Sequence, residues 1–144
     1  MNDIQLLWGE FRLPTRDALH LADGNSYDVA LSPGTPSGFR LLGAFDLHQM
    51  LTSEPDWTSE VDGLKSVELA HGGFLWGGEG SYGSEGFVAR LTAGRSLIWA
   101  VFLTESNPFQ EIRLHGKIAS FVSTSAVEIT VDIDDPRRPV SEAK

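Results

Sequence analysis

The chain has 144 residues, of which 41% are hydrophobic and 22% are charged, and its formal net charge is −9. This length and composition predict one folded domain and exclude an intrinsically disordered chain. The negative charge argues against nucleic acid and anionic membranes as partners, and the absence of cysteine excludes disulfides and thiolate sites.

The N-terminal half contains few regular patterns. Apolar residues predict strands at 6–13 and 27–32, and prolines and glycines predict a loop at 33–38. A further strand is predicted at 64–70. The helix candidate is 43–53, where Pro55 prevents continuation. Four apolar residues approximate one face of this helix: Phe45, Leu47, Met50 and Leu51.

The C-terminal half has the clearest pattern, with five consecutive β-type segments at 87–91, 96–104, 109–114, 117–124 and 126–134. Short turn-forming connections join them, which favours antiparallel pairing. The segment 96–104 is apolar on both faces and is therefore expected at the centre of a sheet.

The predicted fold is mainly β, of the α+β type. We expect an antiparallel meander of about five or more strands, with one helix from the N-terminal half packed on it. Residues 1–136 form a single globular domain in this interpretation, and residues 137–144 form a flexible tail.

A glycine-rich run at 71–87 contains a match to G-x-G-x-x-G between Gly78 and Gly83. A phosphate-binding loop of this kind requires a following helix, whereas a β-type segment follows here. Glu79 and Glu85 lie in the run with no lysine or arginine beside them, so the local field repels phosphate. The sequence instead predicts a long irregular connection in which glycine permits unusual backbone angles and close approach.

Negative charge is concentrated in the middle of the chain. The segment 41–89 contains eight acids and one base, a net charge of −7. Carboxylates surround aromatic residues there, a combination that favours docking of a basic protein, with the charges raising the association rate and the rings supplying anchors. The predicted partner-binding residues are Asp56, Trp57, Glu60, Asp62, Trp76, Glu79, Tyr82 and Glu85. The alternative interpretation is a solvated loop with aromatic residues in the core.

No catalytic or metal-binding motif is found. The four histidines are never three or four residues apart, and no G-x-S-x-G motif occurs. We therefore predict no catalytic residues, no metal and no cofactor, although a serine, a histidine and an aspartate can meet in space without a sequence signature.

Three stretches of the C-terminal half, "GSEGFVARL", "LIWAVFLTESNPFQEIRL" and "FVSTSAVEITVDIDDP", resemble small acidic bacterial immunity proteins encoded beside polymorphic or contact-delivered toxins. The resemblance covers about residues 77–136. It implies a non-enzymatic cytoplasmic inhibitor that binds one toxin domain, often a basic nuclease, and occludes its active site. It assigns no functional residues, because immunity interfaces differ between pairs.

Charge and composition point to the same class of protein, a small acidic binder of a basic partner. A cytoplasmic location is expected, since the N-terminus lacks a signal-peptide pattern and no apolar run is long enough to span a membrane. Two alternatives remain open. One is a β domain that binds a small ligand, suggested by the many aromatic residues, and the other is a hydrolase assembled from scattered serine, histidine and aspartate residues.

Overall fold

The computed structural model describes residues 1–140, with two short helices and twelve strands in that range. Helix α1 spans Asp3–Gly9 and helix α2 spans Leu47–Ser53. The strands are β1 (Arg12–Pro14), β2 (Ala18–Leu21), β3 (Ser26–Leu31), β4 (Phe39–Phe45), β5 (Thr58–Glu60), β6 (Asp62–Glu68), β7 (Phe74–Glu79), β8 (Gly86–Leu91), β9 (Leu97–Leu103), β10 (Phe109–His115), β11 (Ile118–Ser123) and β12 (Glu128–Asp132).

These strands form three sheets. The largest has seven strands in the order β4-β3-β2-β9-β8-β7-β6, so that β4 and β6 are its outer strands. The smaller sheets are β10-β11-β12 and the two-stranded ribbon β1-β5. All pairings are antiparallel. The prediction of a mainly β, antiparallel fold is confirmed.

Strand β9 lies in the middle of the seven-stranded sheet and is covered on both faces. Trp99, Val101 and Leu103 belong to one hydrophobic core, whereas Ala100 and Phe102 belong to a second. Because successive side chains of a strand point to opposite faces, a strand between two cores must be apolar throughout. The predicted central position of this segment is confirmed.

The two cores separate three layers. On one face of the large sheet, the β10-β11-β12 sheet contributes buried residues such as Phe121 and Ile129. On the other face, α1, β1 and α2 contribute Ile4, Leu13 and Leu47. The ribbon and both helices therefore share one side of the molecule, away from the three-stranded sheet.

The five C-terminal strands do not form one meander. Strands β8 and β9 form a hairpin in the seven-stranded sheet, where β9 also pairs with β2 from the N-terminal part. Strands β10, β11 and β12 form a separate sheet packed on the first. The break lies between β9 and β10, where Asn107 has a positive φ of 66° and Pro108 lacks a backbone N–H.

The predicted strand at 6–13 is wrong over most of its length, because α1 occupies residues 3–9. A capping box starts this helix. The Asn2 side chain accepts a hydrogen bond from the Gln5 backbone N–H at 3.0 Å, and the Gln5 side chain accepts one from the Asn2 backbone N–H at 3.4 Å. Ile4 and Trp8 bury one face of the helix. The residue pair Asn2 and Gln5 was the available sequence signal.

The predicted helix at 43–53 is shorter in the structure. Residues 43–45 belong to β4, and α2 follows Asp46, whose side chain accepts a hydrogen bond from the Gln49 backbone N–H at 3.0 Å. Leu47 is buried, and Met50 and Leu51 pack against the second core. The start of this helix, its placement and the total number of helices therefore differ from the prediction.

The glycine-rich run at 71–87 is mostly a β-hairpin and not an irregular connection. Strands β7 and β8 pair along their whole length, and only residues 80–85 connect them. At Gly78, a Cβ atom would collide with the carbonyl oxygen of Asp62, and at Gly86 it would collide with that of Asn107. Glycine thus allows close approach of neighbouring backbone, as predicted, but within a sheet.

Charged side chains hold the segment after β12 against the sheet. Asp134 forms ion pairs with Lys117 at 2.9 Å and with Arg90 at 2.8 Å. The hydrogen bond from Lys117, followed by that from Arg90, lowers the pKa of Asp134 to about 2. Arg137 donates to both carboxylate oxygens of Asp135, at 2.9 and 3.0 Å. The predicted flexible tail at 137–144 therefore begins at a residue with defined contacts, and residues 141–144 lie outside the described residues.

We expect Asp134→Asn to lower the thermal midpoint modestly near neutral pH and to have almost no effect near pH 2. The lowered pKa means that the ion pairs contribute stability above the ordinary value of 3.8 and lose it as the pH falls through about 2. The side chain is partly exposed, so the contribution is also screened by salt. Thermal unfolding of both chains across this pH range measures the difference, and a difference independent of pH would contradict the assignment.

Candidate docking surface

The β1-β5 ribbon and the loop 80–85 form one continuous surface. The Thr15 backbone N–H donates to the Trp57 carbonyl at 3.1 Å, which joins the residue after β1 to the residue before β5. The Glu60 backbone N–H donates to the Ser81 hydroxyl at 2.8 Å, which joins the ribbon to the loop. The chain segments 10–15, 56–62 and 80–85 therefore lie side by side, and we call them together the ribbon surface.

Five of the eight predicted partner-binding residues are exposed on the ribbon surface. Trp57 is 52% exposed and Tyr82 is 70% exposed, which is unusual for rings of this size. Asp56, Glu60 and Asp62 are exposed as well. The fold thus joins the acidic segment 56–62 to Tyr82, a residue more than twenty positions later.

Trp76 and Glu79 are less accessible than these five. Both lie on β7 and are half-buried. Trp76 packs against the second core and against Phe11, with ring centroids 6.5 Å apart. Glu79 is the register partner of Asp62 across the β6-β7 pair, so the two carboxylates share one face of the sheet. These two residues border the ribbon surface.

Glu85 is buried, in contrast to its predicted role as a contact residue. It is 3% exposed and accepts hydrogen bonds from the Tyr82 backbone N–H at 3.3 Å and from the Ser59 hydroxyl at 3.4 Å. Gly80 lies directly against it, at a position where a Cβ atom would collide with the carboxylate. Glu85 therefore stabilises the loop 80–85 through hydrogen bonds inside the protein, and its carboxylate is not exposed to a partner.

The acids of the central segment differ from other acids in their ion pairing. Within residues 1–140, Glu60 is the one acid of the segment 41–89 that lies within 4.0 Å of a lysine or arginine, its partner being Arg12 at 3.6 Å. Elsewhere, lysine or arginine pairs with Asp28, Glu111, Asp132, Asp134 and Asp135. The negative charge of the segment is therefore largely uncompensated and attracts cationic groups.

The eight acids of the segment do not all converge on one face. Asp56, Glu60 and Asp62 meet on the ribbon surface, whereas Glu68 lies at the opposite end of β6. Asp46 lies at the start of α2. The concentration of acids along the segment 41–89 therefore does not give one acidic face, because only the acids of residues 56–62 are exposed on the ribbon surface.

Glu10 and Phe11 complete the ribbon surface, although sequence patterns gave them no role. Phe11 is 54% exposed and has a positive φ of 55°, directly after the end of α1. A cleft of about 400 Å³ lies beside it. The cleft is lined by Glu10, Phe11, Glu60, Val61, Asp62, Gly80 and Ser81. Glycine is the usual residue in this position after the end of a helix. The aromatic side chain of Phe11 is therefore unusual there, but this can be recognised only once the end of α1 is known.

A buried histidine and serine form the arrangement closest to a catalytic pair. Nδ1 of His20 lies 2.8 Å from the Ser26 hydroxyl, and both side chains are buried in the large sheet. Burial and, to a smaller extent, the charge of Arg16 lower the pKa of His20 to about 3. Nε2 has no hydrogen-bond partner among the described residues. A base this weak removes a serine proton poorly, and no carboxylate orients its ring, so the pair lacks the features of a nucleophilic site.

A second histidine pair lies at the surface, where Nδ1 of His48 is 2.8 Å from a carboxylate oxygen of Asp3. Two potential ligands are too few for a protein metal site, which usually has three or more. In the described part of the chain, His, Asp and Glu side chains nowhere form a group of three that could hold a metal. This pair therefore resembles an ordinary surface ion pair.

Neither helix within residues 1–140 reaches the length and hydrophobicity that crossing a membrane requires. Comparisons of the chain with models of protein families, with characterised proteins and with solved structures give no match. The functional interpretation therefore depends on the geometry and charge of the ribbon surface.

Proposed function

We propose that this protein is a non-enzymatic binding protein of the immunity type. It binds a basic toxin domain through the ribbon surface and occludes the toxin's active site. One observation supports this most directly: uncompensated carboxylates and exposed aromatic rings share a single surface that three separate chain segments build.

The charges and the rings have different roles in this proposal. Asp56, Glu60 and Asp62 attract a basic partner over a Debye length of about 10 Å at moderate salt, which raises the association rate. Trp57 and Tyr82 are large and carry few rotatable bonds, so they bury area on binding at a low entropic cost. Mutations of the acids should therefore alter association, and mutations of the rings should alter dissociation.

The test uses the toxin-like protein encoded beside this chain, if the genome contains one. Co-expression should protect cells from that toxin domain, and the two purified proteins should form a stable complex that inhibits the toxin. A neighbouring gene product that binds this chain without loss of its activity would contradict occlusion of an active site. A neighbouring toxin that does not bind at all would contradict the proposed class.

We expect the double substitution Asp56→Lys and Glu60→Lys to slow association with the partner by about tenfold or more at low salt and to flatten the dependence of the rate on salt. Stopped-flow or surface-based kinetics measures both effects. Trp57→Ala should mainly raise the dissociation rate, since a rigid aromatic anchor is lost.

The matched control is Glu111→Lys with Glu128→Lys. Both residues are exposed on the β10-β11-β12 sheet and belong to none of the three segments of the ribbon surface. Either double variant changes the net charge from −9 to −5, because each of two substitutions adds two positive charges. If the control slows association as much as the ribbon variant, net charge alone accounts for the effect and the assignment of the surface fails.

A further inference from the structure

A second cleft, of about 280 Å³, shares Phe11 with the first and is lined by aromatic rings. Trp8 lies with its ring centroid 5.9 Å from that of Trp76 and 6.2 Å from that of Phe11. Gly9, Leu91 and Arg95 complete the lining. We call this the aromatic cleft. Trp8 is buried and lies edge-on to both neighbours, so the rings available to a planar apolar group are those of Phe11 and Trp76, which lie 6.5 Å apart at an interplanar angle of 33°.

Arg95 provides the positive charge of this cleft. Its guanidinium carbon lies 4.4 Å from the ring centroid of Phe74 and 6.0 Å from that of Trp76. The Trp8 indole N–H donates to the Arg95 carbonyl at 3.2 Å, which fixes the Arg95 backbone beside the aromatic cleft. No carboxylate in residues 1–140 lies within ion-pair distance of Arg95, so its donors remain available.

Two residues of the cleft occupy backbone positions that favour glycine. Arg95 has a φ of 70° in the β8-β9 turn, where its N–H donates to the Thr92 carbonyl at 2.8 Å. Phe11 has a φ of 55° in the position after α1, where glycine usually ends a helix. A left-handed conformation is unfavourable for a residue with a side chain. Phe11 and Arg95 both adopt it, and both line the aromatic cleft.

We propose that the aromatic cleft binds a small planar aromatic carboxylate. The ring of the ligand stacks on Phe11 and Trp76, with the buried Trp8 behind them, and its carboxylate accepts hydrogen bonds from the Arg95 guanidinium, whose planar donors suit the two carboxylate oxygens. The volume accommodates a ligand of one or two rings. A single negative charge fits best, since Glu10 lies beside Phe11 and the chain carries a net charge of −9.

This inference goes beyond protein docking and does not depend on it. Phe11 is the one residue that lines both this cleft and the cleft of the ribbon surface, and the binding site requires neither Asp56 nor Trp57. A chain that binds no toxin could still bind an aromatic carboxylate here, and the reverse also holds. The two proposals can therefore fail separately.

Isothermal titration of the full chain with indole-3-acetate tests the proposal. The neutral indole-3-acetamide and the non-aromatic cyclohexanecarboxylate are the comparison ligands. We expect binding of indole-3-acetate with a Kd in the millimolar range or tighter, and binding of each comparison ligand weaker by about tenfold, because a charge-assisted hydrogen bond or a stacking contact is lost. A titration up to about 10 mM indole-3-acetate also detects a Kd of several millimolar. The absence of any heat of binding in that range would overturn the proposal.

Arg95→Gly separates a ligand-binding role from a structural one. Glycine relieves the left-handed strain, so the variant should unfold at the same or a higher temperature, yet it should lose the preference for the carboxylate over the amide. Arg113→Gln, at an exposed arginine paired with Glu111, is the matched control and should bind like the wild-type chain. An Arg95→Gly chain that keeps the carboxylate preference would overturn the assigned role of Arg95.

Discussion

Lowering the pH from about 6.5 to about 4.5 should reduce the free energy of unfolding by about 2–3 kcal/mol through His20 alone. The pKa of this residue is lowered from 6.5 to about 3 in the folded chain, mainly by burial. Between these values the unfolded chain binds a proton that the folded chain excludes. The contribution of neutral His20 to the free energy of unfolding is therefore fully present above the ordinary pKa of 6.5, and it is lost progressively as the pH falls toward about 3.

His20→Asn tests this expectation, because asparagine can still hydrogen bond to Ser26 but does not titrate. Urea unfolding at several pH values should give a shallower dependence on pH for this variant than for the wild-type chain. His71→Asn removes an exposed histidine and should leave the slope unchanged. Equal slopes for the wild-type chain and His20→Asn would mean that His20 does not exclude its proton.

Gly78→Ala and Gly86→Ala should each destabilise the chain by at least about 2 kcal/mol, whereas Gly83→Ala should change stability by less than about 0.5 kcal/mol. At Gly78 the added Cβ would lie 2.7 Å from the Phe87 ring as well as against the Asp62 carbonyl. At Gly86 it would meet the Asn107 carbonyl and lie 2.7 Å from the Ser106 hydroxyl. Carbonyl groups of a sheet or its flanking turn cannot shift without loss of pairing.

Gly83 is the internal control for these two glycines. A Cβ atom there would have no other atom within 4 Å, although Gly83 belongs to the same sequence pattern as Gly78. Denaturant unfolding of the three variants measures the contrast. If Gly83→Ala were as destabilising as the other two substitutions, the conformation of the loop would require all three glycines, and close packing of β7 and β8 would not explain them.

Much of the β architecture could be predicted because burial leaves a local signal. In β12, Ile129 and Val131 point into the core while Glu128 is exposed, and this alternation is visible in the sequence. The sequence contains no such local signal for the division of the strands among the three sheets. Strand β9 pairs with β2, which places Val101 opposite Leu19, and local periodicity does not specify a partner so distant in the chain.

The errors in the N-terminal half and the glycine-rich run have separate causes. The apolar residues around Trp8 fit a strand or a helix equally well over so short a stretch, and the capping residue Asn2 decides between them. In the run 74–79, two of the six residues are glycines, Gly77 and Gly78, and glycine is uncommon inside strands, so the strand was not recognised. Glycine is tolerated in β7 because backbone atoms of neighbouring segments occupy the space that a side chain would need.

The members of the candidate surface could be predicted only where aromatic residues and carboxylates lie close together in the sequence, as in residues 56–62 and 79–85. Asp56, Trp57, Glu60 and Asp62 are close in sequence, and composition alone identified them. Phe11 joins them through the ribbon, nearly fifty residues away, and no local pattern connects the two. Glu85 is buried in contact with Ser59, which lies 26 residues earlier, and no local pattern in the sequence indicates this contact.

The outer strands of the seven-stranded sheet differ in how many charges they expose. Strand β6 exposes three charged residues, Asp62, Lys65 and Glu68, whereas β4 exposes one, Arg40, beside Leu41 and Leu42. Unpaired backbone groups of an outer strand with few charges accept another strand more readily, because charged residues discourage such addition. Two molecules joined through β4 would carry β6 at both ends of the combined sheet. Growth would then stop at a closed pair instead of continuing into a fibre.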